Sequence, residues 1–454
     1  MFLPSHGRGV ALPNALKKIL RKPAGIWDLP ELPDIGSPID DFGAISNSQK
    51  VSAQLFGAKN CWYGVNGATG LLQAALFSIV KPGQAVLMPR NVHKSIINAC
   101  LLGDFTPVLF DLPFMSDRGH YLPPNKPWMR KILDELSLRG IKVAAAVLVN
   151  PTYHGYSSDI AALIKCIHEF NLPVLVDEAH GTHFLSDLEN LLPASALKSG
   201  ADLVVNSLHK SSIGLSQTSV LWLQGDRIDP FIVNRTIGFF QTSSPNSLLL
   251  ASCEAALREW TSPSGKRKLL FTLEQAKELA SQLTNLGIPL LKNNDPLRLI
   301  LHTAKFGING FEADAWFISH GLIAELPEPG CLTFCLGFSR HKGVAKFFER
   351  KWNQLLEFNK SNEIISNFIA PPIPLILETS LNSSLAWRAD SSLVLLNEAV
   401  GRISSDLIAP YPPGIPMLIP GEALDQSRVD WLISQKDLWL GQIPTELRVV
   451  STTT

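Results

Sequence analysis

An excess of charge of either sign is missing. Forty lysines and arginines face forty aspartates and glutamates, so the formal net charge is zero. A chain with no basic excess lacks the electrostatic footprint of a general nucleic-acid binder. Long apolar runs are also missing: none approaches the roughly 18–20 residues that cross a bilayer. The opening MFLPSHGRGV has neither the charged flank nor the apolar stretch of a signal peptide. Cysteine is sparse, with Cys61, Cys100, Cys166, Cys253, Cys331 and Cys335 scattered along 454 residues. Only Cys331 and Cys335 lie close together, and no histidine accompanies them at zinc spacing. All six are expected to be reduced core thiols of a cytoplasmic protein, and no metal site is expected. Charged residues make up only 18% and hydrophobic residues 46%. That balance excludes disorder and predicts a large buried core. There is no internal repeat and no low-complexity segment.

What is present changes along the chain. Residues 1–60 are broken by proline and glycine and predict an arm with short helices. From Cys61 onward, apolar strand-like runs alternate with amphipathic helical stretches. Strands are expected at 84–88, 107–110, 143–149, 173–176, 201–205 and 219–223. Helices are expected at 94–102, 128–139 and 158–170. Strands apolar on both faces, alternating with helices, predict an α/β domain with a mostly parallel covered sheet over 61–290. Helices near 248–260 and 266–286 lead to a smaller α+β unit over 291–375. Pro371, Pro372 and Pro374 mark the boundary to a C-terminal segment, 376–454. In parallel sheets ligands bind beyond the carboxyl ends of the strands, so polar residues just after a strand are the candidates.

Four such groups stand out. Asn206-Ser207-Leu208-His209-Lys210 follows the run 201–205. A lysine there is costly to bury charged unless it is paired or its amine is consumed, as in a Schiff base; the alternative is a surface loop. Asp177 ends the run 173–176 and begins Asp177-Glu178-Ala179-His180-Gly181. A carboxylate at that position can keep the ring nitrogen of pyridoxal phosphate protonated, or simply cap a helix. The same four letters resemble a helicase nucleotide motif, but no G-x-x-x-x-G-K-[ST] precedes them. Asn66-Gly67-Ala68-Thr69-Gly70 opens a helix and offers backbone N–H groups to a phosphate, or is an ordinary helix start. Arg90-Asn91-Val92-His93-Lys94-Ser95 follows the run 84–88. His93 there can stack on a planar ring, or sit exposed beside a helix capped by Asn91 or Ser95.

Phosphate turn, histidine, strand-end aspartate and strand-end lysine occur in that order within one domain. The pattern resembles the Orn/Lys/Arg decarboxylases, fold-type I enzymes that use pyridoxal 5'-phosphate. Further likeness lies in Leu3-Pro4-Ser5-His6-Gly7-Arg8-Gly9, Asp28-Leu29-Pro30-Glu31 and Gln217-Thr218. Gly401-Arg402-Ile403-Ser404, Tyr411-Pro412-Pro413-Gly414-Ile415-Pro416 and Pro420-Gly421-Glu422 resemble the family's C-terminal signature, which other fold-type I enzymes lack. The likeness covers nearly the whole chain.

The resemblance implies decarboxylation of a basic amino acid, with lysine or arginine preferred to ornithine, for polyamine synthesis or acid resistance. It implies that Lys210 bonds the cofactor, Asp177 pairs with its pyridine nitrogen and His93 stacks on its ring. Ala68, Thr69, Ser207 and His209 would surround the phosphate, and His180 would lie close by. His209 or Lys210 would supply the final proton. Glu422 would read the distal amine or guanidinium of the substrate, within one chain or across a subunit interface. A homodimer is the implied assembly. Ala68 replaces the serine of many relatives, so one side-chain donor to the phosphate is lost. The chain opens on the arm, so the N-terminal wing of the large acid-inducible members is expected to be absent. The alternatives are another fold-type I enzyme, an aminotransferase or lyase, or a non-catalytic regulatory homologue.

Overall fold

Eight strands form one sheet, in the order Asn60–Gly64, Ser219–Leu223, Leu203–Ser207, Val174–Asp177, Ala145–Val149, Ala85–Pro89, Thr106–Phe110 and Ile376–Glu378. The description rests on a computed structural model. It describes every residue except 24, 31, 187, 189, 340–342, 360–364, 366–367, 411–413 and 452–454. The five strands from Leu203–Ser207 to Thr106–Phe110 pair in parallel. Antiparallel strands flank them on both sides.

The sequence explains why this sheet is buried on both faces. Along Ala85–Pro89, Leu87 faces one apolar core while Val86 and Met88 face the other. Val176 and Leu175 divide in the same way, as do Val204 and Val205. Alternate residues of a strand point to opposite faces, so an apolar residue at every position requires a cover on each side. Helices Gly67–Ile79, Lys94–Gly103 and Pro230–Phe240 contribute to one cover. Lys126–Leu138, Ile160–His168 and Ser247–Thr261 contribute to the other.

The arm differs from expectation. It holds a 14-residue helix, Gly43–Phe56, whose buried face is Ser46, Ser48, Gln49, Ser52, Ala53 and Phe56. Ser48 and Ser52 hydrogen-bond the Tyr63 hydroxyl at 2.8 and 2.7 Å, and Gln49 accepts from Tyr63 N at 2.7 Å. A face that packs through hydroxyls and an amide leaves no apolar periodicity to read. Further toward the N-terminus, Cys335 N donates to Met1 O and Ser5 N to His209 O, so the first residues run past the turn that carries Lys210.

The smaller unit holds a four-stranded antiparallel sheet, in the order Leu290–Leu291, Arg298–Leu301, Cys331–Cys335 and Leu326–Glu328. Beyond it, Ile376–Glu378 returns to the edge of the large sheet. The C-terminal segment pairs Ser391–Leu395 with Glu446–Val450 and buries its own cluster, including Leu418, Val429 and Leu432. No helix among the described residues is long and apolar enough to cross a membrane.

Candidate active site

A cavity of about 290 Å³ opens at the carboxyl ends of the parallel strands. Eight of the nine residues singled out in the sequence line it: Ala68, Thr69, His93, Asp177, His180, Ser207, His209 and Lys210. Each follows from its element. Val174–Asp177 ends on Asp177, whose carboxylate accepts from Ala179 N at 3.1 Å. Leu203–Ser207 delivers Ser207, whose Oγ lies 3.1 Å from His209 Nδ1. Helix Gly67–Ile79 begins in the wall without a side-chain cap, because Asn66 Nδ2 donates to Phe240 O instead. Gly67 N donates to Gln217 O, so the amides that could receive an anion are those of Ala68 and Thr69, which line the cavity.

His93 is itself the cap of helix Lys94–Gly103. Its Nδ1 accepts from Ser95 N at 3.2 Å and lies 2.9 Å from Ser95 Oγ. Neither expected cap, Asn91 nor Ser95, takes that role, and the bond locks the orientation of the imidazole.

Lys210 is partly buried, with no carboxylate pairing it among the described residues. Its Nζ lies 3.0 Å from His180 Nε2 and 5.8 Å from the centre of the Tyr153 ring. Burial holds this amine below the usual lysine range, against the pull of Asp177. Arg298 Nη2 lies 3.3 Å from His180 Nδ1, and a guanidinium can only donate, so Nδ1 is the acceptor in that contact. Burial, then the charges of Lys210 and Arg298, hold His180 well below 6.5. The lowering of Lys210 shifts its amine toward the free base, the form that attacks carbonyl carbon.

The other cavity histidines are neutral too. Burial, followed by Lys210, lowers both His93 and His209 to about 4. This has a sign that can be checked. Between about pH 6.5 and 4 the unfolded chain holds protons that the folded one refuses, so stability falls as pH falls. Each histidine should contribute about 2–3 kcal/mol to that loss. Denaturant unfolding of the unliganded protein at pH 7, 5.5 and 4.5 should show the slope, and His93→Gln or His209→Gln should flatten it.

Glu422 is the ninth, and it does not line the cavity. It is buried outside the cavity lining, with Oε1 2.5 Å from Arg90 Nη1 and Oε2 3.1 Å from Arg90 Nη2. Ile419 N donates to Oε2 at 2.8 Å. Burial pushes its carboxyl up, but Arg90 and then Arg428 outweigh this and hold it below the ordinary range. A carboxylate in a dry site needs such partners, and here Arg90 and Ile419 N supply three hydrogen bonds to it. The pair instead fastens the C-terminal segment to the strand-end loop at Arg90, which also donates to Met417 O. Glu422→Ala would leave Arg90 buried and unpaired. It should cost about 3–5 kcal/mol in a urea unfolding curve.

Tyr153 and His154 were missed, although both lie just past the end of Ala145–Val149, where the strand-end rule directs attention. His120 and Glu328 also line the cavity, and no local signal marks them. Cys331 is no ordinary core thiol: its Sγ lies 2.8 Å from His120 Nε2. The sequence search for a nearby histidine failed because that partner is 211 residues away. The motif residues Glu31 and Tyr411 to Pro413 lie outside the described residues.

The comparison with known proteins agrees with this geometry. The family model "Orn/Lys/Arg decarboxylase, major domain" matches residues 23–330, and the model of its C-terminal domain matches 378–438. The chain belongs to the Orn/Lys/Arg decarboxylase family. Membership places it among amino-acid decarboxylases. It is 27% identical over 461 residues to an arginine decarboxylase of Bacillus subtilis, covering 96% of this chain and 90% of that one. An inducible lysine decarboxylase of Escherichia coli is 22% identical over 489 residues, covering 87% and 67%. In fold it matches the solved E. coli constitutive lysine decarboxylase, with TM-score 0.78 and 18% identity, over 97% of this chain and 79% of that one. A lysine decarboxylase of Pseudomonas aeruginosa gives 0.77 at 18% identity, over 99% and 78%. The large domain of this family member thus has the fold-type I architecture.

Proposed function

We propose that this chain releases CO2 from a basic amino acid, lysine or arginine before ornithine, with pyridoxal 5'-phosphate bound around Lys210. The observation that carries the reading is the amine of Lys210, held below the usual lysine range and 3.0 Å from His180 Nε2 in the same cavity as Asp177. The residues fit the cofactor. Among the described residues, a lysine without a carboxylate partner, an aspartate with one backbone hydrogen bond and a helix N-terminus without a side-chain cap line one cavity.

Bound pyridoxal phosphate supplies a ring that accepts the electron pair left when the bond from Cα to the carboxylate breaks. Lys210 would hold the cofactor through Nζ. Asp177 would keep a proton on the pyridine nitrogen. The N–H groups of Ala68 and Thr69, with Ser207 Oγ and His209, would receive the phosphate. His93, fixed as a helix cap, would stack on the ring, and His180 would orient the amine of Lys210. His209 or Lys210 would return a proton to Cα. Pro410, Ile415, Pro416 and Met417 wall the cavity and would exclude water from it.

A basic substrate is supported by the relatives, which are named arginine or lysine decarboxylases. With Glu422 engaged by Arg90, the far end of that substrate must be read by another group. We also infer a homodimer, because the arm exposes Ile26, Leu29, Leu32 and Phe42, which a second copy would bury.

The test is amine and CO2 release by the purified protein with pyridoxal phosphate, from lysine, arginine and ornithine side by side. Release from lysine or arginine first supports the proposal. A keto acid product would point to an aminotransferase. Cofactor binding without release would point to a different reaction on the same cofactor. Failure to bind the cofactor would point to a non-catalytic relative.

A further inference from the structure

We propose that His120, His154, Glu328 and Cys331 bind one divalent cation, zinc by donor type, in a closed centre that ties the smaller unit to the wall of the cavity. The four come from separate places. His120 lies on the short strand His120–Tyr121, and His154 on the loop after Ala145–Val149. Glu328 ends one strand of the smaller sheet, and Cys331 begins the strand that pairs with it.

The donor atoms converge. All four lie within 4.8 Å of one another. His120 Nε2 is 2.8 Å from Cys331 Sγ and 3.3 Å from Glu328 Oε2. His154 Nε2 is 2.5 Å from the same Oε2, and Cys331 Sγ is 3.8 Å from it. Tetrahedral zinc with bonds of about 2.0–2.3 Å sets its donors roughly 3.3–3.7 Å apart. The observed separations bracket that range. The two imidazoles stack, with centroids 3.7 Å apart and planes 21° apart.

Two imidazole Nε2 atoms and the Cys331 Sγ crowd round one oxygen, Glu328 Oε2, and the same Sγ lies against His120 Nε2. A cation among the four atoms would accept a lone pair from each. The charge also balances. A thiolate and a carboxylate offset a dication, and neutrality suits ligands that are all buried. Sulfur with two imidazole nitrogens selects zinc over magnesium or calcium, which take oxygen. Four protein ligands leave no open position, which marks a structural centre rather than a catalytic one. Its effect would be mechanical. His120, His154 and Glu328 line the active-site cavity, so the ion would hold the hairpin of Glu328 and Cys331 against two loops of the large domain.

The experiment is independent of turnover. The purified holoenzyme is exposed to zinc, desalted and assayed by elemental mass spectrometry. The expected result is about one zinc per chain, lost in the double variant His154→Ala/Cys331→Ala and kept in Cys335→Ala. Should the double variant fail to fold, the wild-type protein still decides. Alkylation of Cys331, read by peptide mass, should be roughly tenfold faster after chelation than with zinc restored. A holoenzyme that takes up no zinc, a folded double variant that keeps its zinc, or a Cys331 that reacts equally with and without zinc would each overturn the proposal.

Discussion

Lys210→Ala is expected to release no measurable amine or CO2 and to lose the absorbance of lysine-bound pyridoxal phosphate. The argument is chemical. Among the described residues, no other lysine lines the cavity, so no second amine is in place to hold the cofactor. The variant should nonetheless fold. Lys210 Nζ makes one side-chain hydrogen bond, to His180, and removing it costs only about 1 kcal/mol. It also removes a buried amine whose charged form the site penalises. Loss of turnover with an unchanged unfolding curve would therefore be a loss of chemistry. An active, folded Lys210→Ala protein would sink the assignment of that residue, whatever the family.

Asp177→Asn should reduce the rate of amine release by at least about 10²–10³-fold, the size of effect seen when one well-placed electrostatic group is lost. The substitution preserves shape and the acceptor for Ala179 N. What it removes is the negative charge, and with it the means of holding a proton on the pyridine nitrogen. Binding should survive, because Lys210 and the helix start at Ala68 and Thr69 are untouched. Spectrophotometric titration with pyridoxal phosphate, followed by single-turnover kinetics, separates the two. Near-normal turnover would take Asp177 out of the mechanism. A failure to bind would show instead that the carboxylate acts mainly in holding the cofactor.

The two variants bear on different parts of the site. Lys210 concerns attachment and Asp177 concerns the sink for electrons. Neither depends on zinc at His120, His154, Glu328 and Cys331. A chain that holds the metal but fails both assays would still retain the structural centre.

Much of this was legible in the sequence, for a physical reason. A strand buried on both faces must be apolar at every position, so Leu203–Ser207 and Val174–Asp177 announce themselves, and the residues that follow them are candidates at once. Lys210, Asp177, His93 and the turn at Ala68 were singled out from strand ends and helix starts, which are local features, and all of them line the cavity. The helix Gly43–Phe56 was not, because its buried face is made of serines and a glutamine that hydrogen-bond Tyr63. Glu422 shows a different limit. A motif shows that a carboxylate is there, but only the fold shows that Arg90 has already claimed it. The cluster around Cys331 lay furthest out of reach. Its ligands are local neighbours of nothing relevant, and chain crossings between the two units alone bring them together. The sequence by itself determined the layers, the strand ends and the residues placed on them. The tertiary structure alone decided which charges are spent on each other, because pairing depends on distances between elements that the order of residues does not encode.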